Sequence, residues 1–168
     1  MKLLGAFVVA AAAFYIGQSI HKAQKNYIKL MDEISYAMRF LAAEIGSGKL
    51  TTPRAFASLA EKLAPPARSF FQEISKRMDE LGELSFSQIW EQNMQLLGEL
   101  RERDLYELTS LGSLIGSYGA EEEREHFFAA EAYFRQAAER ERKHAAENGK
   151  LYFFIPLSLA SLVIIVLI

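Results

Sequence analysis

Hydrophobic residues fall in two different patterns along this chain. At each end they form a block without a charged side chain: LLGAFVVAAAAFYIGQSI from Leu3 to Ile20, and LYFFIPLSLASLVIIVLI from Leu151 to Ile168. About 20 helical residues cross about 30 Å of hydrocarbon, so each block reads as a short transmembrane helix. Between the blocks, apolar residues recur every three or four positions, the period of an amphipathic helix, and no segment alternates long enough to be a strand.

The middle divides at its turn residues. Met31, Ile34, Met38, Leu41 and Ile45 form one stripe, which Gly46-Ser47-Gly48 ends. Thr52-Pro53 opens a second helix, with proline at its first position and Phe56, Leu59, Ala60 and Leu63 on its apolar side, and Pro65-Pro66 stops it. A third carries Phe70, Phe71, Ile74, Met78 and Leu81 as far as Gly82. Ser85 and Gln88 have capping-box spacing before Ile89, Trp90 and Leu97. A fifth helix sets Leu105, Leu108, Leu111 and Ile115 on one side, and after Gly119 a long helix runs from Glu121 to about Asn148 into the last block. The fold class expected is therefore all-α: a six-helix bundle flanked by N- and C-terminal transmembrane helices. Its boundaries are 1–21 for the first membrane helix, 22–149 for a cytoplasmic helical bundle and 150–168 for the second membrane helix.

Charge sets the expected orientation. His21, Lys22, Lys25 and Lys29 follow the first block, and Arg140, Arg142, Lys143 and Lys150 precede the second, whereas the outer ends carry almost no basic residue. Basic flanks stay on the cytoplasmic side, which places the middle in the cytoplasm and both termini outside. The alternative is a cleaved signal at Ala11 to Ala13 with a single C-terminal anchor, leaving an extracytoplasmic helical sensor or envelope factor. The long apolar run and the basic residues after it favour the first reading.

The stretch IGSYGAEEEREHF, Ile115 to Phe127, has the polar density of a chemical site. Glu123 and His126 form an E-x-x-H pair, and Glu141 and His144 form another, the ligand spacing of di-iron bundles. Those bundles converge the pairs from different helices, but here both lie on one expected helix, about 27 Å apart at about 1.5 Å per residue. The chain has no cysteine, no phosphate-binding glycine loop and no nucleophile-base set, and its formal charge is −2. These features argue against an enzyme, a metal or cofactor site, a small-molecule substrate and nucleic-acid binding. Carboxylates in a first helical turn favour its positive end, which accounts for EEEREH. The same residues suggest a partner-binding surface: Glu122 and Glu123, with Glu102, Asp104 and Glu107 brought near by an antiparallel joint at Gly116 to Gly119, and Glu44 nearby, receiving a basic partner. A membrane-bound metalloenzyme using the two E-x-x-H pairs is the remaining rival.

MKLLGA at the start, LAAEIGSGKLTTPRAF from Leu41 to Phe56, the Phe70-Phe71 pair, the lone Trp90 and LGSLIGSY from Leu111 to Tyr118 resemble the stage III sporulation protein AB family of endospore formers. Glu44, Pro53, Leu111, Gly112 and Gly116 match its pattern. The resemblance implies a bundle similar to the cytoplasmic domains of the platform protein of type II secretion and type IV pilus machines. It further implies a platform or adaptor subunit of the sporulation channel complex between mother cell and forespore, required for sporulation and seated in the mother-cell membrane around the forespore. The implied partners are a cytoplasmic secretion-type ATPase of the same complex, other membrane subunits of the channel and the lipid bilayer. Gly112 and Gly116, four residues apart, are expected to let helices approach closely.

Overall fold

The computed structural model describes the backbone of residues 2–47, 52–98, 100–116 and 119–167; the side chains of 2–10, 13, 45–47, 52, 148–157 and most of those beyond are outside the description. The Gly48 turn and Tyr118, both singled out in the sequence, fall outside it. The described residues form six α-helices: α1 Lys2–Ser47, α2 Thr52–Lys62, α3 Ala67–Arg77, α4 Phe86–Asn93, α5 Glu102–Leu114 and α6 Ala120–Leu167. Short 3₁₀ turns, Met78–Glu80 and Met94–Leu97, follow α3 and α4. The described residues contain no strand, in line with the all-α expectation.

The chain divides into two compact units, Leu30–Ala137 and the pair Met1–Lys29 with Ala138–Ile168. In the first, the expected stripes supply the core. Met31, Ile34, Met38 and Leu41 of α1, Phe56 and Leu59 of α2, and Phe70, Phe71 and Ile74 of α3 are wholly buried. Trp90 of α4 stands at the centre of an aromatic cluster, with ring centroids 4.9 Å from Phe70, 5.7 Å from Phe86, 6.1 Å from Phe71 and 6.5 Å from Phe56. Its indole N–H donates to the Leu108 carbonyl of α5 at 2.8 Å, which satisfies the one polar atom that burial would otherwise strand.

Polar contacts fix the joints. Ser85 and Gln88 form the expected capping box: the Gln88 N–H donates to Ser85 Oγ, and the Ser85 N–H donates to Gln88 Oε1 at 2.8 Å. At the α2–α3 corner, where the Pro65–Pro66 peptide is cis, the Ala64 N–H donates to Glu33 of α1 at 3.0 Å and Arg68 Nε donates to the Leu63 carbonyl at 2.7 Å. The Ser35 hydroxyl of α1 donates to the Glu131 carbonyl of α6.

Two stripe positions depart from expectation. Leu81 is 48% exposed rather than buried. The helix tightens into a 3₁₀ turn after Arg77, which changes the angular step per residue, and Leu81 itself is extended at ψ 121°, so the α-helical phase no longer applies. Leu105 is 41% exposed, and Asp104 takes the inward position one residue earlier. The buried face of α5 is Asp104, Leu108, Leu111 and Gly112, which recur at helical spacing.

In the second unit, Phe14, Tyr15, Ile16 and Ile20 of α1 are exposed. Among the described residues no helix is long and apolar enough to cross a membrane. Most side chains of the two blocks expected to span lie outside those residues.

Candidate docking groove

The N-termini of α2, α4 and α6 and the C-termini of α3 and α5 meet at one end of the Leu30–Ala137 unit. Helix ends carry turns rather than close-packed side chains, and here they leave a groove of about 420 Å³. Its apolar lining comes from Pro53 of α2, Met78 and Leu81 after α3, Phe86 of α4 and Ile115 after α5. Ser85, Ser87 and Ser113 contribute hydroxyls, and Glu123 of α6 contributes a carboxylate.

Each wall has a local cause. Gly112 admits the Trp90 ring: a Cβ there would lie 2.3 Å from Trp90 Cδ1 and 2.5 Å from Cγ, far inside contact distance, so α5 and α4 can approach this closely only at a glycine. Gly116 turns the chain out of α5 at φ +81°, the left-handed conformation that suits glycine at a helix end. Its N–H donates to Glu123 Oε1 at 2.5 Å, so the first turn of α6 closes the end of α5. Pro53 is held through its carbonyl, which accepts the Ser75 hydroxyl of α3 at 3.2 Å.

The structure therefore brings together four of the residues singled out in the sequence: Pro53, Gly112, Gly116 and Glu123. Trp90 and Leu111 are buried behind them. The acids do not form one neighbourhood. Antiparallel helices joined at Gly116 to Gly119 place the end of α5 beside the start of α6, so the start of α5 lies opposite a later turn. Asp104 accordingly accepts a hydrogen bond from the Tyr133 hydroxyl at 2.8 Å, while Glu123 reaches Gly116. Asp104 is 4% exposed and serves packing between α5 and α6. Burial, together with this hydrogen bond, pushes the Tyr133 hydroxyl up to about 12, and the Arg103 guanidinium lies 5.6 Å from its ring centre. Glu102 is exposed in the first turn of α5, Glu107 and Glu44 are half-buried, and none of the three lines the groove. Glu122 is exposed; Glu121 beside it is paired with Arg124, whose guanidinium lies over Phe128.

The serines and Leu81 of the groove were not visible as site residues in the sequence. The signal available was a coincidence of helix-stop and helix-start residues, Gly82, Ser85, Gly116 and Gly119, whose convergence in space has no sequence signature. The E-x-x-H pairs are divided between the two units, and Glu123 is engaged at Gly116. Among the described residues no group of three or more His, Asp or Glu could hold a metal ion.

An all-helical chain with a groove at one end of its bundle is the class of protein these features define. The model of the stage III sporulation protein AB family matches residues 2–168, and the chain belongs to that family. It is 26% identical over 155 residues to Stage III sporulation protein AB of Bacillus subtilis (strain 168), covering 90% of each chain. A solved structure of a Stage III sporulation protein AB (SpoIIIAB) superposes with a TM-score of 0.65 at 20% identity, over 72% of this chain and 97% of that one. Membership gives the protein a role in sporulation.

Proposed function

We propose that the protein is an integral-membrane adaptor of the sporulation channel complex between mother cell and forespore. Residues 1–21 and 150–168 form its membrane helices, and residues 22–149 form a cytoplasmic bundle that docks a secretion-type ATPase and meets other membrane subunits. The observation that carries this reading is the character of α1. One helix exposes Phe14, Tyr15, Ile16 and Ile20, as a lipid-facing segment does, and also supplies Met31, Ile34, Met38 and Leu41 to the bundle core. A partner that binds the bundle would thereby be joined through the chain of α1 to the segment proposed to lie in the bilayer. The groove supports a docking role, because among the described residues it combines an apolar lining with three serine hydroxyls and a single carboxylate.

The chain has no native cysteine, so topology can be read from single introduced ones. In sporulating cells, Gly48→Cys is expected to resist an impermeant maleimide until lysis, while Ile168→Cys labels in intact cells. Labelling of Gly48→Cys before lysis refutes the cytoplasmic placement, and ATPase docking with it. A cleaved signal would then be sought in the mass of the mature protein.

A further inference from the structure

We infer that the groove receives a basic-apolar segment of a partner protein, an aliphatic side chain entering between Leu81, Met78 and Ile115 while a neighbouring lysine or arginine meets Glu123. This deepens the adaptor reading and rests on it for the existence of a protein partner. Two features select the occupant.

The first is how the polar groups are spent. Ser85 Oγ accepts from the Gln88 N–H and lies 3.1 Å from Ser87 Oγ, and the Ser113 hydroxyl donates to the Ser110 carbonyl. Glu123 gives Oε1 to the Gly116 N–H, and its Oε2 makes no hydrogen bond among the described residues. The serine hydroxyls keep acceptor lone pairs, but the charged acceptor left without a hydrogen bond among the described residues is Glu123 Oε2, and a carboxylate oxygen beside an apolar floor selects a cation next to an apolar group. A volume of about 420 Å³ over an apolar floor suits one or two anchoring side chains of a protein segment.

The second is charge. Among the described residues that line the groove, Glu123 is the only ionisable one. Beside the lining positions in sequence stand Arg54, Arg77, Asp79, Glu80, Glu122 and Arg124; Arg77 is paired with Glu80 and Arg124 with Glu121, which leaves Arg54 against Asp79 and Glu122, all three exposed. The field at the mouth is therefore negative. A cation beside the aliphatic anchor is attracted, and an acidic neighbour is repelled.

The test places benzoylphenylalanine at Ser113, an exposed position on the groove rim, in the full-length chain in sporulating cells. The crosslinked segment is sequenced by mass spectrometry. A second variant carries the probe at Tyr106, exposed and outside the lining. The expected adduct at position 113 is a segment with Lys or Arg next to an aliphatic residue. Glu123→Gln, which keeps an oxygen for the Gly116 N–H, lowers its yield about five-fold, the scale of a partly exposed ion pair. Glu123→Lys abolishes it, and reversal of the partner's basic residue to Glu restores it. Leu81→Ala, at a position 48% exposed, lowers the yield with an unchanged melting temperature, which separates loss of docking from loss of fold. An adduct with an acidic or wholly apolar segment, with a second copy of this chain, or with nothing overturns the inference; so do yields unaffected by both Glu123 variants. Capture of the ATPase from position 106 but not 113 sinks the groove and leaves the adaptor reading intact. A basic-apolar segment of some other protein at 113 upholds the groove and removes the ATPase.

Discussion

Gly112→Ala should destabilise the bundle, although helix propensity alone says the opposite. Gly112 lies inside α5, where alanine is about 1 kcal/mol more favourable than glycine. Against that, the new Cβ would lie 2.3, 2.5 and 2.9 Å from Cδ1, Cγ and Nε1 of Trp90. Carbon pairs are comfortable at about 3.5–4.0 Å, so the indole or α5 must move by more than about 1 Å. The ring has no room: it is wholly buried against Phe56, Phe70, Phe71 and Phe86. Overpacking of this kind costs about 1–3 kcal/mol. Displacing the ring also strains its bond to the Leu108 carbonyl, and a buried polar group left unsatisfied costs about 1–3 kcal/mol more. Net of propensity, the expected loss is about 3 kcal/mol, read from urea unfolding of the full chain by helical circular dichroism. Gly119→Ala, where a Cβ meets nothing within 4 Å, is the control and should fall within about 0.5 kcal/mol of wild type. The coupling partner is Trp90→Phe: in that background the cost of Gly112→Ala should shrink by at least about 1 kcal/mol. A neutral or stabilising Gly112→Ala refutes the close-approach account.

Two other perturbations follow from the polar joints. Ser85→Ala removes the side-chain acceptor for the Gln88 N–H and should cost about 1 kcal/mol, with Ser85→Asp near wild type in the same unfolding assay. Tyr133 should ionise late, near 12 by tyrosinate absorbance, and Tyr133→Phe should abolish that phase. Because its folded value is raised above the ordinary value of 10, the stabilisation it confers is complete below pH 10 and is lost as pH rises from 10 toward 12; an alkaline unfolding midpoint unmoved by Tyr133→Phe contradicts this.

Helix number was legible because the stop and start signals are local: the Pro65-Pro66 pair, the Ser85–Gln88 box and the left-handed Gly116 each act within one or two turns. Helical phase was legible only while the step per residue stayed constant. It failed at Leu81, where the α-helical turn tightens, and at Asp104, where a hydrogen bond from Tyr133 lets a carboxylate occupy a position that hydrophobicity alone assigns to Leu105. Burial of a charged-type residue depends on a partner 29 positions away, and no window of sequence contains both. The groove was illegible for the same reason, since it is defined by five helix ends meeting in space.

The acidic residues show how far charge alone can be taken. Glu102 and Asp104 lie in the first turn of α5, and Glu121, Glu122 and Glu123 in the first turn of α6. The positive end of a helix accounts for such placements at about 0.3–1 kcal/mol each without any partner. Four of these five need nothing further: Asp104 is committed to Tyr133, Glu121 to Arg124, and Glu102 and Glu122 are solvated. Glu123 differs because a cavity lies beside it. Its carboxylate has one oxygen committed to the turn that shapes the groove and one directed to no hydrogen-bond partner among the described residues. A cluster of negative charge is thus explained by helix electrostatics, while the coincidence of one carboxylate with an apolar volume is not, and it is that coincidence that makes Glu123 the residue on which partner recognition should depend.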